Sequence, residues 1–141
     1  ASLPRYEDIA PTVHIALRCE RRLLDLRINE RARAMFDGGL VEEVAALIDQ
    51  GIREGETAPR AIGYAQALAV IDGTMSVPEA VDSTALATRQ LASRQIKWFR
   101  RDPRLHWIDV ALTEAGQCTD SERSRLTRQA WELVCARRGV A

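Results

Sequence analysis

The stretch Thr88-Arg-Gln-Leu-Ala-Ser-Arg-Gln-Ile-Lys-Trp-Phe-Arg-Arg101 decides how the rest of the chain is read. Between Arg89 and Trp107 stand Arg89, Arg94, Lys97, Arg100, Arg101 and Arg104 against Asp102 alone, a local net charge of +5. The whole chain of 141 residues carries 20 basic and 20 acidic side chains and sums to zero. At the roughly 100° per residue of a helix, Arg89, Gln90, Ser93, Arg94, Lys97, Arg100 and Arg101 share one arc. Leu91, Ala92, Ile96, Trp98 and Phe99 take the other, with Thr88 and Gln95 among them. One face is therefore expected in a core, and the other presents positive charge. A one-sided cluster of Lys and Arg is the electrostatic footprint of a polyanion site, nucleic acid above all. A merely solvated basic face gives the same pattern.

The surrounding composition bounds the fold. A length of 141 residues fits one ordinary domain, and 46% apolar residues fill a core. Only 5% are aromatic and 28% are charged, which favours a helical architecture over a sheet-rich one. Cys19, Cys118 and Cys135 stand apart in sequence, fitting neither zinc nor a disulfide framework and pointing to a reducing cytosol. No apolar run approaches the roughly 18 residues of a membrane span. No signal pattern opens the chain, so a cytoplasmic protein is expected. The start at Ala1, without methionine, reads as the middle of a longer polypeptide.

Upstream of the basic helix, residues 1–11 read as a loop and Thr12–Leu17 as a short buried strand. His14 in that strand has no partners at metal-ligand spacing and reads as structural. Glu20–Phe36 forms a helix whose apolar stripe is Leu24, Ile28 and Met35, with Arg31 inside the stripe and Arg27 at its margin. Arg31 then requires either a buried carboxylate partner or a phosphate in a cleft. After Gly38-Gly39 a second helix covers Leu40–Gln50 and packs against the first. Arg60–Ile71 is read as a helix with Gly63 in its first turn and Arg60 and Tyr64 flanking it. An arginine, bare backbone and an aromatic ring make a plausible RNA contact; glycine-mediated helix packing gives the same pattern. Ser76-Val-Pro-Glu79 is a capping box that starts the long helix to Arg101, and Asp102-Pro103 stops it. Residues 105–109 form a second strand, and a last helix is capped by Asp120 or Ser121. Two short strands are too few for an independent sheet, so they are expected to join strands from outside the chain. No P-loop, dinucleotide fingerprint, nucleophile elbow or paired-cysteine zinc site occurs.

Three segments together resemble the tRNA dimethylallyltransferase (tRNA isopentenyltransferase) family. They are Arg27-Ile-x-x-Arg31-x-x-x-Met35 with Gly39-Leu-Val-Glu-Glu-Val44, then Arg60-Ala-Ile-Gly-Tyr64, then the stretch from Thr88 to Arg101; His106-Trp-Ile-Asp109 also fits. The resemblance implies an enzyme that moves a dimethylallyl group from dimethylallyl diphosphate to N6 of an adenosine beside the anticodon. Its fold would be mostly α with two short strands, the carboxy-terminal part of a P-loop kinase-like α/β enzyme. Residues 1–110 would close the catalytic domain, and 111–141 would be a linker and peripheral helix. The P-loop, the Mg2+ site and the catalytic aspartate would lie in an amino-terminal half not present in these residues, so no metal ligand is assigned here. By the same resemblance, Arg31 and Arg27 would face the diphosphate. Arg60, Ala61, Ile62, Gly63, Tyr64, Arg94, Gln95, Lys97, Trp98, Arg100 and Arg101 would fall where the family meets the tRNA anticodon stem-loop. Gln95, on the apolar arc, would more naturally fix backbone or an RNA-facing arginine. Ser93 and Ala65 depart from the family by losing basic residues, and Lys97 gains one. The complete enzyme is expected to be monomeric and membrane-free, and this chain alone inactive. The competing readings are a non-catalytic RNA-binding helical module and a helical scaffold that meets an acidic partner.

Overall fold

Glycines and hydroxyl caps divide the chain into its elements. The computed structural model describes Asp8 and residues 10–138. Strand β1 (His14–Arg18) leads into α1 (Arg21–Asp37), α2 (Leu40–Ile48), two single 3₁₀ turns (Ile52–Glu54 and Ala58–Arg60) and α3 (Tyr64–Ile71). Helix α4 (Val77–Phe99), strand β2 (Leu105–Asp109) and α5 (Asp120–Arg138) complete the order. The expected boundaries hold to within a few residues except at α3, which starts four residues later than the apolar pattern suggested. The last helix is capped by Thr119 rather than Asp120 or Ser121. The Thr119 hydroxyl accepts from the Glu122 N–H at 3.2 Å, and its carbonyl accepts from the Arg123 N–H at 2.9 Å.

The described residues form two compact units. One comprises Asp25–Ser93. Its core is Phe36, Leu40, Val44, Ile52, Ala67, Leu68 and Ala80, with Val44 wholly inaccessible to solvent. The inward line of α1 in this unit is Ile28, Ala32 and Phe36, at the i, i+4, i+8 spacing of one helix face. This corrects the stripe through Arg31: rotating the helix by one position leaves its guanidinium in water and puts the small Ala32 at the contact. Keeping an arginine hydrated avoids the large cost of burying an unpaired charge.

The other unit joins the residues up to Leu24 with those from Arg94 onward. Here β1 and β2 pair in parallel, from His14 opposite Leu105 to Arg18 opposite Asp109. The sequence reading gave the two strands without pairing them to each other. A parallel pair needs a long crossover, and α1 to α4 supply it. Ile108 is the buried side chain of β2, whereas Leu17 of β1 is 59% exposed. Helix α5 is tied to the same unit. The buried Glu122 carboxylate accepts from the Ala111 N–H at 2.7 Å, and the Arg125 guanidinium donates to the Asp109 carbonyl at 2.6 Å.

Leu40 is central to the first of these cores, so Leu40→Ala should destabilise the fold by about 2–5 kcal/mol. Urea denaturation followed by circular dichroism measures the loss.

Candidate nucleic-acid interface

The capping box at the start of α4 forms as the sequence predicts. Ser76 N–H donates to the Glu79 carboxylate at 2.8 Å, and the Glu79 N–H reaches the Ser76 hydroxyl at 3.4 Å. The first half of α4 buries only small residues, Ala80, Thr84 and Ala85. Its last turns and the two residues that follow it carry the cations. Arg94, Lys97, Arg100 and Arg101 are all exposed. Among the described residues, none of the four has a side-chain hydrogen bond or an ion pair.

Two other cations of the same stretch have structural tasks instead. Arg89 is half-buried and donates to the Asn29 side-chain oxygen at 2.5 Å, linking α4 to α1. Arg104 grips the buried Asp102 carboxylate with contacts of 2.7 and 2.9 Å, and reaches Asp8 at 2.6 Å. His14 Nε2 meets the same Asp8 oxygen at 2.9 Å, which gives His14 the structural role expected of it. The Arg104 guanidinium holds the Asp102 carboxyl down to about 2, against the opposing pull of burial. The Asp8 carboxyl is lowered chiefly by His14 and further by Arg104. Arg104 therefore offers no spare charge, and the available cations reduce to four.

The apolar arc is corrected as well. Ala92, Ile96 and Phe99 are half-buried, but Leu91, Gln95 and Trp98 are exposed. Trp98 is 58% exposed and meets Phe99 edge-on, with ring centroids 5.1 Å apart. The i, i+7 line of Leu91 and Trp98 finds no cover among the described residues, so neither anchors the helix. Trp98 instead lies one helical turn from Arg94, with Arg100 and Arg101 just past the end of the helix. An aromatic ring among free cations suits unstacked bases and their phosphates.

The second candidate segment is a turn rather than the first turn of a helix. Arg60 ends a 3₁₀ turn and is exposed, and Ala61 is exposed and extended at φ −65°, ψ 140°. Ile62 is half-buried. Gly63 is buried at φ +98° and caps α3, so it is not the poor helix former the sequence suggested. Its N–H donates to the Gln66 side-chain oxygen at 2.8 Å. A Cβ at Gly63 would lie 3.0 Å from Met35 Cε and 3.5 Å from Leu40 Cδ2, so side chains, not backbone, approach it. Tyr64 is half-buried, and its hydroxyl donates to Glu43 of α2. That bond, followed by burial, raises the Tyr64 pKa. Sequence reasoning missed the Glu43 partner, because nothing local links residues 43 and 64.

Arg27 and Arg31 are exposed one turn apart on α1. Guanidiniums at i and i+4 are neighbours on a helix surface and can share one anion. The two arginines and the Arg60–Tyr64 turn belong to the unit Asp25–Ser93, and the four free cations belong to the other.

The described residues form a mostly helical α/β arrangement with one parallel strand pair and, at the end of α4, cations without partners. The family model for IPP transferase matches residues 3–102, so the chain belongs to the IPP transferase family. A tRNA dimethylallyltransferase of Pseudarthrobacter chlorophenolicus is 50% identical over 122 residues, covering 83% of this chain and 41% of that protein. One from Mycobacterium tuberculosis is 44% identical over 133 residues, covering 92% and 40%. The crystal structure of the full-length tRNA isopentenylpyrophosphate transferase from Bacillus halodurans superposes with a TM-score of 0.74 at 28% identity. The superposition covers 94% of this chain and 42% of that one. The chain thus spans about 40% of the length of these relatives.

Asp102 and Glu122 are both held at about 2, Glu122 mainly by Arg125. Their ordinary values are 3.8 and 4.5. Both folded values lie below the unfolded ones, so the ionised forms stabilise the fold above about pH 4.5. That contribution fades as the pH falls toward about 2. Asp102→Asn should therefore lower Tm clearly at pH 7 and scarcely at pH 2, as read by thermal melts across that range.

Proposed function

We propose that this chain is the carboxy-terminal part of the catalytic domain of a tRNA dimethylallyltransferase. The complete polypeptide would transfer a dimethylallyl group from dimethylallyl diphosphate to N6 of an adenosine next to the anticodon. The observation that carries the reading is the set of four exposed cations, free of partners among the described residues, at the end of α4 in a chain of zero net charge. Membership of the IPP transferase family supplies the chemistry.

In this reading Arg94, Lys97, Arg100 and Arg101 meet phosphates of the anticodon stem-loop, and Trp98 meets an unstacked base. Arg60 and Ala61 contribute the exposed part of the second contact. Gly63 shapes that turn, and Ile62 and Tyr64 support it from within. Gln95, exposed beside Trp98, is free to touch the RNA. The target base must leave its stack to meet the donor, as base-modifying enzymes generally require. Arg27 and Arg31 face the donor diphosphate, whose negative charge grows as the carbon–oxygen bond breaks; fixed cations stabilise that charge.

The P-loop and the catalytic aspartate belong to the remainder of the polypeptide. The Mg2+ site is assigned to that remainder too. The 141 residues alone would then transfer no prenyl group. We place this work on tRNA in the cytoplasm; among the described residues no helix is long and apolar enough to cross a membrane. We take the complete enzyme to act as a monomer.

Arg94→Ala in the complete polypeptide should weaken binding of an anticodon stem-loop and reduce the slope of log affinity against log salt by about one. Titrations across a salt series measure both, and an unchanged slope would return the helix face to a solvated role. Arg31→Ala should raise the KM for dimethylallyl diphosphate with little change in RNA affinity. Loss of RNA affinity with normal donor kinetics would contradict the donor-facing assignment.

A further inference from the structure

The Arg60–Tyr64 turn is fixed from three sides. Gly63 packs on Met35 of α1 and Leu40 of α2. Gln66 accepts from the Gly63 N–H and donates to the Ser83 hydroxyl of α4 at 3.3 Å. The third tie is the Tyr64 hydroxyl on Glu43. The first two are half-buried or buried, whereas the third lies in an exposed setting.

Glu43 is electrostatically misplaced for a polyanion site. A carboxylate beside a segment that meets RNA repels phosphates, and like charges at close range weaken association. Its hydrogen bond to Tyr64 supplies a reason for its presence. A hydroxyl held by an ionised carboxylate makes a stronger, more directional bond than one held by a neutral acceptor. The bond also spans 21 residues of sequence, joining α2 to the first residue of α3.

We propose that Glu43 is a positioning residue for RNA binding, fixing Tyr64 so that Arg60 and Ala61 are presented in one conformation. This rests on the functional reading above. An exposed hydrogen bond adds little to global stability, so its role is expected in the pose of the turn rather than in the fold.

The test uses the natural polypeptide that carries this chain, with the variants Glu43→Ala, Tyr64→Phe, the double variant and Glu43→Gln. Either single variant should raise the KM for tRNA about fivefold, the scale of one lost hydrogen bond. The double variant should match the singles, because the same bond is lost in each. Glu43→Gln retains an acceptor and should recover to within about twofold of the parent. The KM for dimethylallyl diphosphate and the Tm should stay close to the parent values. Normal transfer with an unchanged or lower KM for tRNA in Glu43→Ala overturns this inference alone, since the carboxylate would then only repel RNA. Multiplying effects in the double variant also overturn it. A parent polypeptide that transfers nothing to tRNA overturns the functional reading and this inference with it.

Discussion

Gly63 can sit against Met35 and Leu40 only because it has no side chain and tolerates φ +98°. An alanine there would meet Met35 Cε at 3.0 Å and adopt a backbone conformation that L residues rarely reach, a strain on the order of 1–3 kcal/mol. Much of the unit Asp25–Ser93 depends on this one approach. It draws the chain against the α1–α2 hairpin and starts α3 immediately after. Ala67 and Leu68 can then enter the core beside Leu40 and Val44. The exposed Arg60 is held at the entrance to the same turn. Packing and presentation therefore share a single glycine.

The second organising feature is the division of charge along α4. Small residues in its first half allow close packing and use no charge. Arg89 and Arg104, on either side of the free cluster, are committed to Asn29 and to Asp102 with Asp8. What remains between them is a four-cation set with an exposed indole. Oriented charge of this kind raises the encounter rate with a polyanion even when the whole chain is neutral. A neutral chain can thus still present positive charge, because arginines such as Arg18, Arg53, Arg104 and Arg125 are paired with carboxylates while these four are not.

Much of the architecture was legible from local pattern. The capping box at Ser76, the glycine break between α1 and α2 and the strand 105–109 depend on neighbours in sequence, and each formed as read. The errors share a cause. Arg31 and Trp98 were placed by helical phase alone, and a rotation of one position or a missing neighbour reverses exposure. The turn at Gly63 was mistaken for helix because its positive φ is set by Met35 and Leu40, which lie far upstream. The same distance hid Glu43 from Tyr64, and Asp8 from Arg104. Parallel pairing of the strands was hidden too, because about ninety residues separate each register pair. The cations of residues 89–104 were legible as a set, but which of them are free depended on partners that only the fold reveals.

Under the proposed function, two segments, residues 60–64 and residues 94–101, meet tRNA. Amide hydrogen exchange of the natural polypeptide, with and without an anticodon stem-loop RNA, tests it most directly. Slower exchange is predicted around Ala61–Tyr64 and along the last two turns of α4, with α2 and α5 unchanged. Protection confined to α5, or absent from both segments at saturating RNA, would contradict the account.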